Sequence, residues 1–141
     1  MEAFGGKWQT IKSEGDFNGF LTERGVPLPV RKTLELFTSK ATIILGIADG
    51  MFLETEVGVL SNTEHPSLPL DGAPVEAKSP AGDEILKAVK FDGTVVAITE
   101  TSKSDPSDVV LHELKLEGTT LVRKIVNVKT GTNFTTFLQK V

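Results

Sequence analysis

The chain has 141 residues, of which 39% are hydrophobic and 24% charged, with a formal net charge of -4. That length and apolar content suit one domain, residues 1–141, around a single core rather than two packed domains. The acidic balance lacks the basic excess of a phosphate-backbone binder, which argues against nucleic acid as a partner, and the absence of cysteine removes disulfides, thiolate metal sites and cysteine nucleophiles together.

The amino end has no basic start followed by a long apolar stretch, so no secretory signal is expected, and no apolar run is long enough for a bilayer-spanning helix. The expected location is therefore cytosolic. In chain order, the first element with helical character is Asp16-Phe-Asn-Gly-Phe-Leu-Thr-Glu-Arg24. Phe17, Phe20 and Leu21 fall at i, i+3, i+4, an amphipathic stripe that an Asp16 cap can begin and Gly25 can stop. A second helix starts near Pro27 or Pro29, because proline suits a first helical turn, with Val30, Leu34 and Phe37 on one side.

Beyond it the turn signals Asp49-Gly50, Asp92-Gly93, Glu117-Gly118 and Thr130-Gly131 separate runs rich in Val, Ile, Thr and Leu, the spacing of hairpins. Residues 61–74 carry Pro66, Pro69, Pro74 and Gly72, so strand pairing there is short or broken, since proline has no N–H to donate. In His112-Glu-Leu-Lys-Leu-Glu117 the alternation is clean, with His112, Leu114 and Leu116 on one face and Glu113, Lys115 and Glu117 on the other. About ten short antiparallel strands resolve their two bare edges as a sandwich or a closed barrel, and a barrel of this size holds a ligand. The fold class that follows is all-β with a helical pair.

Specific residues then point to a family. Phe4-Gly-Gly-Lys-Trp8, Phe17-x-x-Phe20-Leu21, Gly25-Val26-Pro27 and Arg31-Lys32, in that order, resemble the opening of the intracellular lipid-binding proteins, the group of fatty acid-binding and cellular retinoid-binding proteins. Ser61-Asn-Thr-Glu64, Lys87-Ala-Val-Lys-Phe-Asp-Gly93 and the terminal Gln139-Lys-Val141 extend the likeness over the whole chain. The resemblance implies a ten-stranded antiparallel up-and-down β-barrel of calycin type, with a helix-turn-helix lid after the first strand and one lipid inside. It also implies a gap between the fourth and fifth strands, which agrees with the proline-rich stretch.

Fatty-acid binders of this family commonly hold the carboxylate with an arginine on the eighth strand and an Arg-x-Tyr pair on the last. Here Thr136-Phe-Leu138 stands where Arg-x-Tyr would be, there is no tyrosine at all, and His112 falls at the eighth-strand arginine position. In Leu121-Val-Arg-Lys-Ile-Val126 either Arg123 or Lys124 points inward. Arg123 shares parity with Leu121 and Ile125, Lys124 with Val122, Val126 and Val128, so the period of two leaves both open. With Arg123 inward beside His112, a fatty acid is feasible. With it outward, Thr136, His112 and Asn127 or Asn133 suit a neutral amphiphile.

The resemblance also sets Val30, Leu60, Pro80, Ala81, Val110 and Leu138 beside Phe17, Phe20, Leu21, His112, Arg123 and Thr136 as ligand-binding residues. Trp8 is expected to pack the barrel base, and His65, next to Pro66, to lie at the surface. Arg24, Arg31 and Lys32 form either a solvated face or a basic patch that brings the lid into transient contact with anionic membrane. In some members such lid residues form a nuclear import signal, so the nucleus is a second expected location. Asn133-Phe-Thr135 matches a glycosylation pattern without a secretory context.

Catalysis has little support: no Gly-x-Ser-x-Gly, phosphate loop or dinucleotide fingerprint occurs, and Ser61, His65 and Asp71 share one loop without orienting context. No metal or cofactor is expected. The reading is a monomeric, non-enzymatic intracellular carrier that binds one long-chain fatty acid or related hydrophobic ligand. Its rivals are a carrier of a neutral lipid or retinoid, and an abundant protective or structural barrel.

Overall fold

The computed structural model describes every residue except 39, 59–61 and 80, and leaves the Phe37 side chain undescribed. After a single 3-10 turn over Glu2–Phe4 come β1 (Gly6–Gly15), α1 (Phe17–Glu23) and α2 (Leu28–Thr38). The strands that follow are β2 (Thr42–Ala48), β3 (Met51–Val57), β4 (Asn62–Glu64), β5 (Leu68–Pro69), β6 (Val75–Lys78), β7 (Glu84–Phe91), β8 (Val95–Ser102), β9 (Val109–Glu117), β10 (Thr120–Asn127) and β11 (Asn133–Lys140).

Ten of these strands run in the antiparallel order β4-β3-β2-β1-β11-β10-β9-β8-β7-β6, and the short β5 pairs with β3 off this path. This is the ten-stranded up-and-down barrel that the family resemblance implies, with β1 joined to β11. Among the described residues β4 and β6 do not pair, and β4 and β5 span only three and two residues, so the break falls where the prolines cluster. At the β2–β3 turn Asp49 and Gly50 take φ of 54° and 73°, the left-handed pair that a tight hairpin requires and that Asp-Gly tolerates best.

The helices begin and end for the reasons written in the chain. Asp16 caps α1, its Oδ1 accepting from the Gly19 N–H at 2.9 Å, and Gly25 takes a φ of 77° just past the end. The core is split in two. A lower cluster, including Trp8, Leu45, Phe52, Leu68, Val89, Ile98, Leu114, Leu121 and Leu138, fills one end of the barrel. Trp8 donates from Nε1 to the Phe4 carbonyl at 2.9 Å there. An upper cluster of Phe20, Leu21, Val26, Val110 and Phe134 joins the helices to the other end. No described helix is long and apolar enough to cross a membrane.

Candidate functional site

Between the two clusters lies a cavity of about 570 Å³, within the size range of small-molecule sites. Its wall follows from the strand alternation. Reading inward positions from the lower end upward gives Phe52, Glu54 on β3; Val89, Lys87, Ile85 on β7; and Ile98, Glu100 on β8. The same reading gives Leu114, His112, Val110 on β9; Leu121, Arg123, Ile125 on β10; and Leu138, Thr136, Phe134 on β11. Each strand contributes apolar residues and one polar residue at mid-height, so the barrel carries a polar belt between two apolar layers.

The belt is bonded to itself. Arg123 faces inward and Lys124 outward, which decides the choice that periodicity leaves open. The Arg123 guanidinium donates from Nη1 to Glu54 Oε2 at 2.7 Å and from Nη2 to Glu54 Oε1 at 3.3 Å. It also donates to His112 Nδ1, from Nε at 3.3 Å and from Nη2 at 3.0 Å. With Nδ1 an acceptor, His112 is the neutral tautomer whose Nε2–H donates to Glu100 Oε1 at 2.8 Å. Lys87 Nζ lies 3.7 Å from Glu100 Oε2.

Burial alone would raise the Glu54 carboxyl, yet the Arg123 guanidinium outweighs it and holds Glu54 at about 2. Burial likewise opposes ionisation of Glu100, and its partners His112 and Lys87 prevail to keep it below the usual carboxylate range. His112 stays below its ordinary value because it is buried and faces Arg123, despite the pull of Glu100.

The expected ligand-binding residues fall in three groups. Phe17, Phe20, Leu21, Ala81, Val110, His112, Arg123, Thr136 and Leu138 all line the cavity. Val30 does not: it is 45% exposed in the first turn of α2, one turn before the lining residue Leu34. Leu60 and Pro80 lie outside the described residues, as does Ser61 of the loop triad.

Three other expectations change. His65 is not simply a surface residue, since it lines the cavity rim with its Nε2 3.7 Å from Glu56 Oε2. Asn127 and Asn133 offer nothing to the cavity: Asn127 Nδ2 donates to Glu23 and Asn133 Nδ2 to the Gly131 carbonyl. Of the basic residues on the helices, Arg24 is ion-paired with Asp108, Arg31 keeps its charge while donating from Nη1 to the Val26 carbonyl at 3.0 Å, and Lys32 is exposed.

Glu54, Lys87 and Glu100 were not among the residues expected in the site. The available signal was parity: each is a charge on the face of an otherwise apolar alternation, two residues from Phe52, Val89 and Ile98 respectively.

No protein-family model and no curated protein matches the sequence. Among solved structures, fatty-acid-binding protein 1 of Echinococcus granulosus superposes with a TM-score of 0.85 at 25% identity, covering 100% of this chain and 99% of that one. The chain has the fold of the fatty-acid- and lipid-binding proteins. Apo lipid binding protein 8 of Caenorhabditis elegans gives a TM-score of 0.87 at 17% identity, over 100% and 97% of the two chains. A Schistosoma mansoni fatty acid binding protein, solved with arachidonic acid, gives 0.84 at 15%, over 100% and 98%. The last two likenesses carry the barrel and its helical lid alone. Within this family fold, the belt formed by Glu54, Lys87, Glu100, His112, Arg123 and Thr136 is the polar centre of the cavity.

Proposed function

We propose that the chain is an intracellular carrier that encloses one long-chain lipid and releases it through movement of the lid, with no bond made or broken. The observation that carries this reading is the cavity itself: a hollow of about 570 Å³ between two apolar layers, where a solidly packed β-protein would have side chains. Burying an alkyl tail there contributes about 0.8 kcal/mol per methylene, which makes a long chain the favoured occupant.

The fixed and movable parts of the lid can be told apart. Glu23 at the end of α1 accepts from Asn127 Nδ2 at 2.9 Å, Thr130 Oγ1 at 2.7 Å and Thr132 Oγ1 at 2.9 Å, and the neighbouring Arg24 is paired with Asp108. Both contacts tie α1 to the loops at the ends of β8 and β10. The cavity extends to a rim that includes Thr63, His65, Pro66, Lys78 and Ala81, below α2. That arrangement supports passage of lipid between α2 and this rim, with α1 as the fixed hinge side.

Titration of delipidated protein with oleoyl lipids tests the proposal. Saturable one-to-one binding with a dissociation constant of about 1 μM or tighter is expected, corresponding to about 8 kcal/mol. Absence of saturable binding for every long-chain lipid would remove it.

A further inference from the structure

The barrel interior is electrically balanced before any ligand arrives. Lys87 and Arg123 supply two positive charges and Glu54 and Glu100 two negative ones, while His112 is fixed as the neutral tautomer. The guanidinium has five N–H donors, and four donor contacts already go to Glu54 and His112. Arg123 is therefore buried but already paired.

What the belt still offers is of another kind. Glu54 and Glu100 keep spare carboxylate lone pairs, and each carboxylate has about four such sites. Thr136 is buried, lines the cavity and makes no side-chain hydrogen bond among the described residues. Lys87 has ammonium N–H groups to give, since its Glu100 contact is as long as 3.7 Å.

We infer that the polar belt selects a long-chain lipid whose head group is uncharged and both donates and accepts hydrogen bonds, a hydroxyl or a secondary amide, over the carboxylate of a fatty acid. This rests on the carrier reading above. A hydroxyl or amide N–H donates to a free lone pair of Glu54 or Glu100 and its oxygen accepts from Lys87 or Thr136, leaving the balance of charge untouched. A carboxylate adds a third negative charge to a buried site that already holds two. Beyond the one N–H that Arg123 has left, it can pair with that guanidinium only by displacing Glu54, which is then left buried without its partner.

The rim does not reverse the preference. Its Arg24 is paired with Asp108 and its His65 with Glu56, Glu64 adds another negative charge, and Lys78, the lining cation without an ion-pair partner among the described residues, is exposed to water.

The test holds the tail constant and changes the head. Delipidated protein is titrated by calorimetry at neutral pH with oleyl alcohol, N-oleoylethanolamide and sodium oleate, and the titrations are repeated with Glu54→Gln. The wild type is expected to bind the two neutral lipids at least about tenfold more tightly than oleate, a difference of about 1.4 kcal/mol. Glu54→Gln, which frees Arg123 for an incoming anion, is expected to shift the ratio about tenfold toward oleate.

Oleate bound as tightly as the alcohol by the wild type overturns the head-group assignment and leaves the carrier reading standing. So does an oleate preference that Glu54→Gln leaves unchanged and Lys78→Met abolishes. Failure of all three lipids to bind overturns both. Should Glu54→Gln not fold, the wild-type comparison decides alone.

Discussion

The Arg123 guanidinium and the Glu54 carboxylate meet inside the barrel at 2.7 and 3.3 Å, from strands β10 and β3 that are separated in the sheet by β11, β1 and β2. The pair crosses the interior rather than bridging neighbouring strands, so it couples parts of the chain 69 positions apart. Both side chains are buried, at 11% and 7% exposure, and each is the other's main compensation for lost water.

Breaking that pair from one side leaves a buried charge. Arg123→Met is expected to destabilise the fold by about 3–5 kcal/mol, and the double variant with Glu54→Leu by less than Arg123→Met alone. Chemical denaturation of the two single variants and the double variant measures the coupling; simple additivity would mean that the pair contributes nothing as a unit.

Acid should unfold the protein in two stages. His112 is held below its ordinary value of 6.5, so the unfolded chain binds the extra proton first and stability declines as pH falls below about 6.5. Glu54 and Glu100 are held below 4.5, Glu54 at about 2, so what they contribute is fully present above 4.5 and is lost as pH falls from there toward 2. Unfolding free energies from urea titrations across this range should show both declines. His112→Gln should remove the upper one and leave the lower; an unchanged profile would show that His112 is not buried in the neutral form.

The lid is keyed to the barrel by aromatic edges. Phe17 and Phe20 meet Phe134 at ring-centroid distances of 4.8 and 5.2 Å, with interplanar angles of 84° and 68°. Phe134→Ala should cost about 3–4 kcal/mol and loosen α1. Hydrogen exchange of the α1 amides should rise in that variant, and protection equal to wild type would place the lid's anchorage elsewhere.

Glycine at position 15 is required where β1 hands over to α1. Its φ is 100°, and a Cβ there would lie 2.8 Å from both the Asn133 carbonyl oxygen and the Phe134 Cα, backbone atoms that cannot step aside. Gly15→Ala should therefore destabilise by about 2 kcal/mol, whereas Gly46→Ala, with open space and no left-handed φ, should not. Thermal melts of the two variants make the comparison; equal melting temperatures would contradict it.

Much of this architecture was legible in the chain, and for identifiable reasons. Asp16 and Gly25 bracket the first helix, Asp49-Gly50 needs left-handed backbone, and Pro66, Pro69 and Pro74 keep pairing short, so turns and the sheet gap are written locally. The facing of β10 was not, because both faces of that strand carry apolar residues: Leu121 and Ile125 inward, Val122 and Val126 outward. The Arg123–Glu54 pair was hidden for a different reason. Its halves lie on strands that the period of two describes separately, and only the closed barrel brings them together.

The most direct measurement is a structure of the protein loaded with oleyl alcohol. The account predicts a single alkyl chain inside the barrel, between the Phe20–Phe134 contact above and Leu138 below, with its hydroxyl within hydrogen-bond distance of Glu54, Lys87, Glu100 or Thr136. An interior closed over by side chains, with the lipid absent or bound on the outer surface, would contradict it.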